Sequence, residues 1–180
     1  MTILKKSILA SILIGFGVAI LLSVSNPVGP FLFAFGLLSV CYLQANLYTG
    51  KAGYFWKNQQ TELAKILIIN LISGYIFGLL LSYSSPELIP IATEKISTWN
   101  FSIEFFIRSI FCGMIMYICV ELFKRGTYIG ILLGIPLFIF CGFQHCIANI
   151  IVLGIVHAWS WTLILAITGN LIGSIIINIL

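Results

Sequence analysis

Residues Thr127–Trp159 read TYIGILLGIPLFIFCGFQHCIANIIVLGIVHAW, and residues Pro30–Trp56 read PFLFAFGLLSVCYLQANLYTGKAGYFW. Both runs exceed the roughly 20 apolar residues that one bilayer crossing needs. Both also place polar groups mid-run: Gln144, His145 and Asn149 in one, Gln44, Asn46 and Thr49 in the other. Irregular backbone at membrane depth persists only where protein buries it or where it lines a water-filled cavity. Each run therefore predicts a helix broken inside the membrane, and a matched pair of broken helices points to a substrate pathway between them.

The rest of the chain supports a membrane setting. Of 180 residues, 61% are hydrophobic and 8% charged, against about 25% charged in an ordinary soluble domain. Mean hydropathy is +1.14. Nine Lys+Arg and five Asp+Glu are too few to solvate a globular surface, and a net charge of +4 is too scattered for a nucleic-acid footprint. Scanning for crossings gives Ser7–Val24, Pro30–Tyr54, Ala64–Tyr83, Ile103–Leu122, Tyr128–His157 and Trp159–Leu180. The first has a basic start like a signal peptide, but Asn26-Pro27 follows it instead of a small-residue cleavage site, so it reads as a retained helix. The five cysteines lie in apolar stretches without a CxxC pair and read as small buried hydrophobes, with no metal or cofactor expected.

Basic residues set the orientation. With the N-terminus cytoplasmic, Lys5, Lys6, Lys51, Lys57, Lys65, Lys124 and Arg125 fall inside, while Lys95 and Arg108 fall outside. Both termini are then cytoplasmic in a multi-pass protein of the cell (inner) membrane. Trp56, Trp99, Trp159 and Trp161 fall at span ends, where interfacial aromatics belong. Glu104 and Arg108, four apart, are expected to pair on one helix face.

The halves, approximately 1–85 and 100–180, resemble each other. Ala45-Asn46 answers Ala148-Asn149, and Asn70-Leu71-Ile72-Ser73-Gly74 answers Asn170-Leu171-Ile172-Gly173-Ser174. Three spans per half is odd, so the halves would sit inverted, with the broken helices meeting near the midplane. The expected fold class is an all-α membrane protein, one domain of six transmembrane helices in two inverted three-helix repeats. Chance similarity among Ile/Leu/Gly-rich segments is the competing explanation of the repeat.

At these residues the chain resembles the formate/nitrite transporters. GFQHCIAN at Gly142–Asn149 is similar to the family's GFEHSVAN signature, and LYTG at Leu47–Gly50 to its A-E-L-F-T-G-N loop. FFIRSIFCG at Phe105–Gly113 resembles the family's F-L-R-G-I-L-C-N, and NLIGS at Asn170–Ser174 its N-x-I-G. The resemblance implies an aquaporin-like hourglass with a pore in each protomer, a homopentamer, and passage of formate, nitrite, hydrosulfide or similar anions together with protons. It implies that His145 is the central pore histidine, that Thr49 hydrogen-bonds toward it, and that Leu47 and Tyr48 form the cytoplasm-side constriction. Phe33, Leu37 and Phe138 would form an apolar outer constriction, Lys95 the vestibule lysine, and Asn149 a further pore-side polar group. The chain departs from the family at Gln144 (usually Glu), Lys51 (usually Asn) and Gly113 (usually Asn). Six residues precede the expected first span, where formate channels carry a longer helix linked to pH gating.

The chemistry of a weak-acid pore fits these residues. A charge in hydrocarbon is so costly that groups neutralise instead of crossing charged, and histidine is the side chain that exchanges a proton near neutral pH. The freed N–H groups of broken helices could orient the permeant. Two other classes compete. A pore for neutral solutes (water, glycerol, urea) would favour two Asn-Pro-Ala loops, whereas Gln-Ala-Asn and Ile-Ala-Asn stand here. An intramembrane enzyme would want a carboxylate or nucleophile cluster at depth, and no acid lies mid-span.

Overall fold

The computed structural model describes residues 1–24, 27–55 and 59–180; Asn26, Trp56 and Lys57, which entered the reading above, lie outside them. Among the described residues the regular structure is helical: α1 (Ile3–Ser23), α2 (Val28–Tyr42), α3 (Tyr48–Lys51), a 3-10 turn (Ala52–Tyr54), α4 (Gln60–Ser84), α5 (Leu88–Ser97), α6 (Ile103–Lys124), α7 (Ile129–Phe140), α8 (Cys146–Ile155) and α9 (Thr162–Ile179). Four of these, α1, α4, α6 and α9, are long and apolar enough to cross a membrane. At 1.5 Å per residue they match a hydrocarbon core of about 30 Å.

The other two expected crossings are interrupted, as their mid-run polar residues required. Pro30–Tyr54 is realised as α2, the single turn α3 and the 3-10 turn; Tyr128–His157 is realised as α7 and α8. The first helix starts earlier than its apolar run, because the Thr2 hydroxyl accepts from the Lys5 N–H and caps it, which carries Lys5 and Lys6 into the helix. Ser102 caps α6 in the same way, accepting from Phe105 N–H at 3.2 Å. Helix α5 was not foreseen: a ten-residue element with Leu88 and Ala92 buried, in the stretch read as an outer loop.

Two groupings result. Helix α1 packs on α2 and α4, while α6 packs on α7 and α9; α8 lies against α4, and the 3-10 turn against α9. Glycine sets the closest approaches. A Cβ on Gly78 would stand 2.1 Å from the Ile151 carbonyl oxygen, and one on Gly113 would stand 2.2 Å from that of Asn170. The family's Asn therefore has no room at Gly113. Gly74 and Gly78 both face α8 of the same chain. The exposed stripe of α4 is Ile68, Ile72, Ile76 and Leu80, and α7 exposes Leu132, Leu133, Leu137 and Phe140. Such continuous apolar surface suits acyl chains or another copy of the chain. Trp159 and Trp161 are exposed at the head of α9.

Candidate functional site

The two breaks have the same hydrogen-bond construction. After α2, Leu43 N–H donates to Ser39 O, Gln44 N–H to Cys41 O and Ala45 N–H to Val40 O. After α7, Cys141 N–H donates to Leu137 O, Gly142 N–H to Ile139 O and Phe143 N–H to Phe138 O. Gln44 and Gly142 both take positive φ, 49° and 67°, so the chain reverses through the left-handed region at matching points. Next, Asn46 N–H reaches Lys6 O at 3.0 Å and Gln144 N–H reaches Arg108 O at 3.4 Å.

An asparagine on a neighbouring long helix then closes each break. The Asn70 side chain accepts from Tyr48 N–H at 2.9 Å and donates to Ser7 O at 2.8 Å and Asn46 O at 3.1 Å. The Asn170 side chain accepts from Cys146 N–H at 2.9 Å and donates to Ser109 O and Gln144 O, both at 2.8 Å. Each amide thus satisfies one orphan helix donor and one break carbonyl, Asn46 O or Gln144 O, that hydrocarbon could not solvate, and adds a second bond to a carbonyl of a neighbouring long helix. This pattern corrects the register read from the sequence. The match is Asn46-Leu47-Tyr48 to Gln144-His145-Cys146, not Ala45-Asn46 to Ala148-Asn149, because the equivalent points are the amides that take the asparagine oxygen. Both asparagines were visible as polar letters inside apolar runs; their capping role was not.

His145 is the N-cap of α8 and is buried. Its Nδ1 accepts from Ala148 N–H at 3.0 Å, and its Nε2 lies 2.9 Å from Thr49 Oγ1. With Nδ1 engaged as an acceptor, the neutral ring carries its proton on Nε2 and donates it to Thr49, leaving the Thr49 hydroxyl proton to point elsewhere. The two first-turn amides of α8 on Cys146 and Ala148 are already taken, so they are not the freed donors expected for a permeant. The Phe33 and Phe138 rings meet edge-on at 5.9 Å, and Phe138 lies 6.2 Å from the His145 ring. The structure therefore brings Thr49, His145, Phe33 and Phe138 together.

Other expected site residues fall elsewhere. Leu37 lines the same chamber as Leu47, rather than grouping only with Phe33 and Phe138. The Tyr48 side chain turns into the protein, its hydroxyl donating to Ile167 O of α9 at 3.3 Å, and it is not among the residues lining that chamber. Asn149 donates to Gln144 Oε1 at 3.0 Å, and Gln144 Nε2 donates to Gly142 O at 3.0 Å, so Asn149 and Gln144 brace the second break. Lys95 lies on α5. Although it keeps exposed surface, surrounding atoms strip water from its ammonium and hold its pKa below the ordinary lysine value. Glu104 and Arg108 pair as expected, at 2.6 Å.

The chamber is a vestibule of about 640 Å³ reaching from Lys6, Lys51, Tyr54 and Lys124 inward to Leu37 and Leu47. On its wall Tyr54 OH donates to Glu121 Oε1 and accepts from Lys124 Nζ, and Lys124 also pairs with Glu121 at 2.8 Å. Lys51 lies 3.7 Å from Glu62. Among the described residues no group of three His, Cys, Asp or Glu could hold a metal ion.

The formate/nitrite transporter family model matches residues 1–180. Among solved structures, an FNT family ion channel superposes with a TM-score of 0.80 at 16% identity, covering 98% of this chain and 85% of the other. A pentameric formate channel with formate bound superposes at 0.77 and 17% identity, covering 98% and 91%. No curated protein matches. The model match along the whole chain and the shared fold give one result: this multi-pass membrane protein belongs to the formate/nitrite transporter family.

Proposed function

We propose that the chain is a channel or transporter for small monovalent weak-acid anions such as formate, nitrite or hydrosulfide, coupled to protons at the Thr49–His145 junction. The architecture that goes with this reading is six spans in two inverted repeats, 1–85 and 100–180, both termini cytoplasmic in the cell (inner) membrane, and five protomers around a central axis. The observation that carries it is the Thr49–His145 hydrogen bond joining the two broken segments, bounded by the Phe33–Phe138 pair and by Leu37 and Leu47.

An anion entering such a dry zone loses hydration that apolar walls cannot replace. The Thr49 hydroxyl, held as an acceptor by His145 Nε2–H, turns its own proton toward the passage and offers a donor there. A proton arriving at the ring must go to Nδ1, which displaces the Ala148 N–H from its cap. Taking up a proton therefore costs the α8 cap, and loss of the Nδ1 proton restores it. The ring is built to pass a proton along and not to store one. Inorganic anions that cannot be neutralised gain nothing from this exchange and stay excluded.

The test is uptake into proteoliposomes of formate, nitrite, hydrosulfide, lactate, chloride and glycerol at two pH values. Weak-acid uptake that rises with acidity, with chloride excluded, supports the reading. Glycerol swelling without anion uptake overturns it in favour of a neutral-solute pore.

A further inference from the structure

The vestibule on the Lys6 face is far larger than any permeant of three or four heavy atoms requires. Its volume is about 640 Å³, and three lysines line it, Lys6, Lys51 and Lys124. Gln44, Asn46, Tyr54 and Gln59 add hydrogen-bonding groups, and no carboxylate stands among the described lining residues. Two of the ammoniums have acidic partners outside the lining, Lys51 with Glu62 and Lys124 with Glu121. Neither pair is sealed from water: the side-chain exposures are 41% and 42% for the first and 49% and 27% for the second, so both can exchange partners. Lys6 has no ion pair among the described residues. The inner end closes on Leu37 and Leu47, both fully buried. A chamber lined by three lysines above an apolar floor favours an occupant with more than one negative charge.

We infer that this vestibule binds a small multivalent anion, a di- or tricarboxylate or a polyphosphate, which seats among Lys6, Lys51 and Lys124 and closes the passage from that face. The proposal rests on the transport reading for its effect on flux, but the binding itself does not depend on it. Such an ion is too wide and too highly charged to pass Leu47 and be neutralised, so it plugs the route that a monovalent weak acid takes. The occupant is held by charge, and its grip weakens as ionic strength shortens the Debye length.

Pyrophosphate and citrate serve as probes. Calorimetric titration of each into the purified full chain reads binding without any transport. Formate uptake into oriented proteoliposomes, with the probe on one face at a time and chloride at matched ionic strength as control, reads block. Expected are binding of at least one probe, block from the Lys6 face alone, and binding about tenfold weaker in Lys6→Gln, the worth of one charge-assisted contact. Lys124→Gln should weaken binding similarly, and Lys6→Gln, which touches no ion pair, guards against misfolding in that variant. Binding of pyrophosphate but not citrate identifies a phosphate site, and the reverse a carboxylate site. Formate uptake with no binding of either probe, binding insensitive to both substitutions, or equal block from both faces overturns the proposal. Lysine-dependent binding in a chain that carries no formate keeps the site and removes the transport reading instead.

Discussion

Replacing His145 by asparagine separates its two jobs. Asparagine is a good N-cap, so α8 keeps a side-chain acceptor for its first turn, while the Nε2–H that holds Thr49 is lost. Formate uptake should fall by about tenfold or more, the cost of leaving a buried donor site unmade, and the rise of uptake with acidity should disappear. Radiolabel uptake with oligomer size checked decides it; undiminished, pH-dependent uptake by the assembled variant would sink the mechanism. Lys95 belongs to entry instead. Lys95→Ala should lower flux at low salt and matter little near 0.15 M, where the Debye length is about 8 Å. Its pKa is lowered, so its charge is present below that pKa and lost as pH rises through it. The difference in flux between Lys95 and alanine should therefore vanish at a lower pH than an ordinary lysine would require. A difference that persists where an ordinary lysine is neutral, or that ignores salt, would rule out a collecting role.

At the scale of elements, the asparagine clasps decide whether the breaks hold. Asn170→Ala strands Cys146 N–H and Gln144 O together and removes a second donor from Ser109 O, which stays in the α6 ladder, at about 1–3 kcal/mol for each buried group left unpaired. We expect a large fall in thermal unfolding temperature in detergent, and the same for Asn70→Ala; little change in either would show that water or other partners reach these groups. Gly78→Ala should be comparably damaging for a different reason, since its Cβ meets the Ile151 and Gly154 backbone and not a side chain that can swing away. These elements also show what the sequence could and could not convey. The long spans are legible because about 20 apolar residues admit one interpretation, and the breaks because Gln44, Asn46, Gln144 and His145 cannot sit unpaired in lipid. The register of the breaks is not legible, because similar letters (Ala-Asn) are not what aligns them; a hydrogen bond from a residue 22 or 24 positions away does. Tyr48 misleads for a related reason: a motif places it beside Leu47, but successive helical positions face different ways, and its hydroxyl finds Ile167 O. Helix α5 escaped notice because ten mixed residues resemble a loop until α8 and α1 pack against them.

For the whole molecule, the exposed stripe of α4 and the apolar faces of α2 and α7 leave broad surface for association. Native mass spectrometry in mild detergent should show pentamers; monomers or trimers alone would count against that assembly. The construction of the breaks has one more consequence. Leu47 and His145 occupy equivalent N-cap positions, and Thr49 and Ile147 follow two residues later. The backbone at the two breaks is built alike, while the letters written on it are not. On the proposed mechanism, the side from which a proton is taken follows these four side chains. We expect Leu47→His, Thr49→Ile, His145→Leu and Ile147→Thr together to move the proton-exchanging group to the first break, visible as an exchange of the face whose pH governs uptake.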